Sequence, residues 1–171
     1  LPLPNIFWSF HTIPISEDVS EAMRYLIIVL LSIWGPSVAS AQNYPPIVAA
    51  EVTKTFKDCG GSERSNPDFI VRKDINGDGV EDYILNYGSL ECHDMRSFFC
   101  GSGGCLTQIF ASLPKGSHAS ILNDVVRGVD FGKNGNFFTM TLTLHGSACG
   151  KIGAQSCRKV LFWNGQNFVS R

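Results

Sequence analysis

Phe69-Ile70-Val71, then Asp74-Ile75-Asn76-Gly77-Asp78-Gly79-Val80-Glu81-Asp82, then Tyr83-Ile84-Leu85-Asn86-Tyr87, is the stretch from which the rest of the chain can be read. Two short apolar runs flank a loop in which oxygen-bearing side chains stand at alternate positions and two glycines interrupt. Runs this short, rich in β-branched and aromatic residues and bounded by Asn, Asp and Gly, are strands rather than helices. The loop between them carries more carboxylates than a turn requires.

The same punctuation continues downstream. Leu106 to Ser112 reads as a strand ended by Leu113-Pro114-Lys115-Gly116, and Val125 to Phe131 alternates. Phe137 to His145 alternates strongly, with Phe138, Met140, Leu142 and Leu144 on one side and threonines on the other. Lys159 to Trp163 and Asn167 to Val169 bracket Asn164-Gly165-Gln166, a hairpin signal built on Asn-Gly. Upstream, Pro45-Pro46 leads into Ile47 to Lys57, where Val48, Val52 and Phe56 recur at helical spacing. Proline at the start and Gly60-Gly61 beyond the end suit a helix. The expectation is a mainly β (α+β) fold: an antiparallel sheet or small barrel carrying one N-terminal helix.

The N-terminal part reads differently. Residues 1–22 show no sustained period and read as an over-extended start outside the fold. Met23-Arg24 then precedes an apolar run from Tyr25 to Trp34, Gly35-Pro36 breaks it, and Ala39-Ser40-Ala41 offers small residues for cleavage before Gln42. This is the pattern of a secretory signal peptide over 23–41. The run is about half the ~20 residues a membrane span needs. Residues 42–171 are then one mature domain, periplasmic or secreted, with no membrane span after cleavage. Thirteen basic and twelve acidic side chains remain in it. That balance gives no reason to expect a nucleic-acid or membrane-surface partner.

All six cysteines lie in 42–171. An even count in an exported chain implies a disulfide-stabilised fold. Cys100 and Cys105 enclose only Gly-Ser-Gly-Gly and can meet, Cys149 and Cys157 flank a hairpin loop, and Cys59 with Cys92 follows by elimination. Zinc is the competing use of Cys and His, but the chain has no C-x-x-C pair.

The acidic loop has the donors of a calcium site. Calcium takes six to eight oxygens, so carboxylates and carbonyls must gather on a sharply turning loop. Counting from Asp74, the side chains of Asp74, Asn76 and Asp78 hold positions one, three and five. Gly79 holds six, the Val80 carbonyl seven and Asp82 nine. An EF-hand would need glutamate at twelve, where Leu85 stands, and helices in place of the flanking strands. The stretch from Phe69 to Tyr87 instead resembles the strand–D-x-N-G-D-G-x-x-D–strand calcium loop of FG-GAP and VCBS repeats. That resemblance implies Ca2+ ligation by Asp74, Asn76, Asp78, Val80 (carbonyl) and Asp82. Those repeats come in tandem and build propellers, whereas one loop is present here, so the ion site carries over and the propeller and its adhesive roles do not. The pattern also resembles small exported bacterial proteins of unknown function that pair such a loop with a C-G-S-G-G-C segment, a likeness that implies no activity. The expected role of the ion is structural, with an affinity on the order of 10⁻⁴–10⁻³ M, as in extracellular modules.

Catalytic candidates are few. Ser102 in Cys100-Gly101-Ser102-Gly103-Gly104-Cys105 sits before Gly-Gly as a trypsin-like nucleophile does, but glycine precedes it where that family has aspartate. It also misses the G-x-S-x-G elbow. His93, beside Asp94, and His145 are the imidazoles that disulfides could bring toward it, and His118 reads as a solvated loop residue. The expected function is a non-catalytic, calcium-binding module that binds or inhibits an unknown protein or envelope ligand. The alternative is a small secreted hydrolase using Ser102 with His93 or His145.

Overall fold

The structure is a computed structural model, and it describes residues 44–61 and 63–171. The start at 1–22, the signal peptide over 23–41 and the cleavage point before Gln42 lie outside the described residues.

Helix α1 spans Pro46–Asp58, with proline in its first turn, where the missing N–H is no loss. Eleven strands follow: β1 Glu63–Ser65, β2 Ile70–Lys73, β3 Asp82–Asn86, β4 Leu90–Cys92, β5 Cys100–Gly101, β6 Gly104–Leu113, β7 Ser117–Val126, β8 Gly128–Asn134, β9 Phe137–Leu144, β10 Cys157–Trp163 and β11 Phe168–Val169. Every strand pairing is antiparallel. The expected mainly β architecture with one N-terminal helix is therefore what the described residues form, as open sheets.

The first sheet runs β2–β3–β6–β7, and β5 continues beside β3 along the same edge of β6. The second runs β8–β9–β10–β11, and β1 with β4 makes a small separate ribbon. Strand alternation divides the first sheet's side chains between two cores. Tyr83, Leu85 and Phe110 face α1 and pack with Val48, Val52, Phe69, Tyr87 and Leu90. Ile84 and Ile109 face the other way and meet Met140, Leu142, Leu161 and Phe168 of the second sheet. The result is three layers: helix, sheet, sheet.

The two sheets share a corner at Arg127. The chain leaves β7 at Val126 and enters β8 at Gly128, while the Arg127 N–H bonds the Thr143 carbonyl of β9 at 2.8 Å. The alternating run Val125 to Phe131 therefore straddles two sheets instead of forming one strand. Ser117 to Asp124, which shows little alternation of apolar and polar residues, is strand because β6 supplies its pairing partner.

Three disulfides close the fold in the expected pairs: Cys59–Cys92, Cys100–Cys105 and Cys149–Cys157. The first ties the end of α1 to β4 and buries both cysteines completely. No cysteine is left free. Among the described residues no helix is long and apolar enough to cross a membrane. Three disulfides are consistent with an oxidising compartment.

Candidate metal loop and the disulfide-closed end

The acidic loop joins β2 to β3 and is held by its own backbone. Asp74 accepts from the N–H of Gly77 at 2.6 Å and of Gly79 at 3.0 Å. Asn76 accepts from the Asp78 N–H at 3.0 Å, and Asp78 from that of Val80 at 2.8 Å. Both glycines have positive φ, 83° at Gly77 and 82° at Gly79. They differ in surroundings. A Cβ at Gly77 would run into the Phe138 ring of β9, whereas one at Gly79 would meet open space. The loop is thus seated on the second sheet at Gly77 and free at Gly79.

Asp82 is fully buried. Its Oδ2 accepts from the Ile75 N–H at 2.7 Å, and its Oδ1 from the Ser112 N–H at 2.7 Å and the Ser112 hydroxyl at 2.8 Å. The same hydroxyl lies 2.7 Å from Asp78 Oδ2. The Asn76 amide donates to the Ser112 carbonyl at 3.1 Å, with the Ser112 hydroxyl also at 3.1 Å and Asp78 Oδ2 at 3.3 Å. Burial alone would raise the Asp78 carboxyl. The Ser112 hydroxyl, the Val80 N–H, the Asn76 amide and the charge of His118 together hold it below the ordinary carboxylate value.

Ser112, thirty residues along from Asp82 and at the end of β6, is the residue that sequence reasoning missed at this site. Its one proton cannot serve two carboxylates. The hydroxyl can therefore donate to only one of the two, and a pair of carboxylates meets at a single O–H donor. His118 also belongs here: instead of standing solvated in a loop, it is half-buried on β7, its ring 5.5 Å from that of Tyr83 and its Nε2 2.9 Å from the Glu81 carbonyl.

The donors fit a hard cation in type and order. Every carboxylate oxygen of Asp74, Asp78 and Asp82 has an N–H partner, and all but the one that takes the Ser112 hydroxyl proton retain a lone pair that a metal could use. Asp74 is taken up by the glycine N–H groups and makes no bond to Ser112. Among the described residues no three His, Cys, Asp or Glu side chains stand together as a formed metal cage. Asp74, Asn76, Asp78, the Val80 carbonyl and Asp82 are the residues that would hold the ion. Once bound it would supply charge compensation and nothing chemical beyond that.

The catalytic candidates are distributed elsewhere. His93 and Asp94 are the two central residues of a tight turn closed by Cys92 and Met95, with φ of 51° and 60°. Both positive values are what a type I′ hairpin turn demands. The His93 ring packs on Phe98 at 5.5 Å, and Asp94 bonds Arg64 at 3.4 Å. Ser102 and Gly103 form the two-residue loop between β5 and β6. There Gly104, at φ 123°, lies against the Val126 backbone too closely for any Cβ. His145 binds the Ser147 hydroxyl through Nδ1 at 2.7 Å, and its ring covers Gly153. Among the described residues no hydrogen bond joins Ser102 to either imidazole.

Arg127 is what organises that end of the molecule. One nitrogen, Nη2, donates to the carbonyls of Ser102 and Gly153, both at 2.9 Å. The other, Nη1, donates to the Ser156 hydroxyl at 2.9 Å and the Ala154 carbonyl at 3.4 Å. Two disulfide-closed loops are thereby fastened to the corner between the sheets.

Compared with protein-family models, curated proteins and solved structures, the chain matches none of them.

Proposed function

We propose that this chain is an exported, non-catalytic binding domain whose β2–β3 loop is stapled by a structural calcium ion. The observation that carries the ion is the Ser112 hydroxyl, which stands within 2.8 Å of oxygens from both Asp78 and Asp82 and can give its proton to only one. A cation bound by the loop carboxylates offsets the charge of that pair and holds the two strands together through their side chains. The binding role is supported by surface loops that two disulfides and Arg127 hold in place. An oxidising destination agrees with the signal-like segment before Gln42. A hydrolase using Ser102 would need an imidazole that is instead bonded to Ser147 or packed on Phe98.

Calorimetry with calcium, paired with melting curves in calcium and in chelator, tests the ion. Saturable heat and a higher melting temperature in calcium are expected, both reduced in Asp78→Asn. No heat together with an unchanged melting temperature overturns the site.

A further inference from the structure

The sandwich is open along one side. Between the inner face of the first sheet and edge strand β8 lies a groove of about 280 Å³, walled by Val71, Ile84, Val129 and Phe131 and reached by Lys73 and Thr107. Val71 is 36% exposed, a large apolar side chain in partial contact with water on an edge strand. The two polar groups at the groove are unspent. Among the described residues the cations in ion pairs are Lys54, Arg64, Arg72, Arg96 and Arg158, so Lys73 has no carboxylate partner. Its ammonium group lies 5.6 Å from the centre of the Phe131 ring. The Thr107 side chain, only 7% exposed, makes no hydrogen bond with another described residue. Asn86, also on the wall, is by contrast occupied with Ser89 and Gly88.

From this arrangement we infer that the groove binds a free aliphatic monocarboxylate, a medium-chain fatty acid, with the chain between the sheets and the carboxylate at Lys73. Apolar walls with a few placed polar groups are the usual make-up of a small-molecule site, and the volume lies just below the usual range of such sites. One point charge at Lys73 matches a monoanion, whereas a phosphate dianion would call for several donors or an arginine fork. Charge complementarity sets the orientation, because the opposite one would place the carboxylate at the Thr107 end, which offers neutral donors but no cation. The inference gives the proposed binding domain a ligand class but uses none of the ion's ligands.

Decanoate, below its micelle concentration, is the probe, with decanol as its uncharged counterpart. Titrations of the oxidised protein run both in calcium and in chelator, with circular dichroism on the same samples, so that loss of the ion and loss of the ligand are read separately. Saturable one-site binding of decanoate is expected, weakened at least tenfold in Lys73→Met and at least tenfold weaker for decanol. Lys54→Met, on the far helix, leaves it unchanged. Val71→Glu, on an exposed edge and so compatible with folding, abolishes it by placing a like charge in the wall. Non-saturating decanoate, equal binding of decanol, or an unaffected Lys73→Met protein overturns the inference.

Discussion

The Ser112 hydroxyl stands 2.8 Å from Asp82 Oδ1, and the Ser112 N–H reaches the same carboxylate oxygen at 2.7 Å. A residue at the end of β6 thus closes the loop that begins at Asp74. Ser112→Ala keeps the backbone bond and removes the hydroxyl, so whichever of the two carboxylates takes its proton loses a donor. Hydrogen bonds to charged groups contribute about 1.5–3 kcal/mol. A loss of stability in that range is expected in chelator, measured by urea unfolding. An unchanged midpoint would mean that the two carboxylates do not depend on the shared hydroxyl.

The two loop glycines separate a packing requirement from a backbone one. Gly79→Ala meets only the positive φ, which costs about 1–2 kcal/mol. Gly77→Ala adds a methyl directed into the Phe138 ring, and overpacking of this kind costs a further ~1–3 kcal/mol. Gly77→Ala should therefore be the more damaging by denaturant unfolding, and Phe138→Ala in the same chain should recover part of the difference. Equal losses at the two positions would remove the loop from its seat on β9.

Much of this was legible in the sequence because it is local. Phe137 to Leu144 alternates with its own neighbours, and Cys100 can meet Cys105 across four flexible residues. The loop's donors follow one another at fixed spacing. What was not legible depends on residues far apart in the chain. Ser112 has no motif to mark it, and only the pairing of β3 with β6 carries it to Asp82. The run Val125 to Phe131 alternates straight through a corner, because a bend at one residue leaves the periodicity intact. His93 reads as a candidate imidazole for Ser102 in sequence and is, with Asp94, a turn in space, since histidine and aspartate are among the side chains that tolerate positive φ.

Arg127 offers a test of the disulfide-closed end. Its half-buried guanidinium serves four acceptors in two loops, and Arg127→Met leaves both disulfides in place while releasing all four. Faster amide exchange is expected in 101–104 and 150–156, with little change in the helix-side core. The cost in global stability should be about 1–2 kcal/mol, because most of these bonds are near solvent. Arg127→Lys keeps the charge but not the fork, and should fall between the two. If exchange in the two loops did not change, the disulfides alone would be holding them.

Tyr87 makes alkaline stability readable. Its hydroxyl donates to Gln108 Oε1 at 3.2 Å, so Thr55, 3.1 Å away, must be the donor on the other side. Burial raises the phenol above its ordinary value of 10.0; the Thr55 hydrogen bond opposes this and the charge of Glu51 adds to it. Tyr83 is raised in the same direction, again first by burial, with Arg72 opposing. The folded state therefore favours the neutral phenols. Their contribution to stability is complete below pH ~10, where the unfolded tyrosines begin to ionise, and is lost as pH rises from there through the folded-state values. Urea midpoints should hold level up to that pH and fall above it, and with no free thiol the fall cannot come from disulfide exchange started within the chain. Tyr87→Phe should cost about 1–2 kcal/mol at neutral pH by leaving Gln108 and Thr55 without their partner, and should make the alkaline decline shallower. A decline equally steep in Tyr87→Phe would assign the alkaline sensitivity to Tyr83 or to another group.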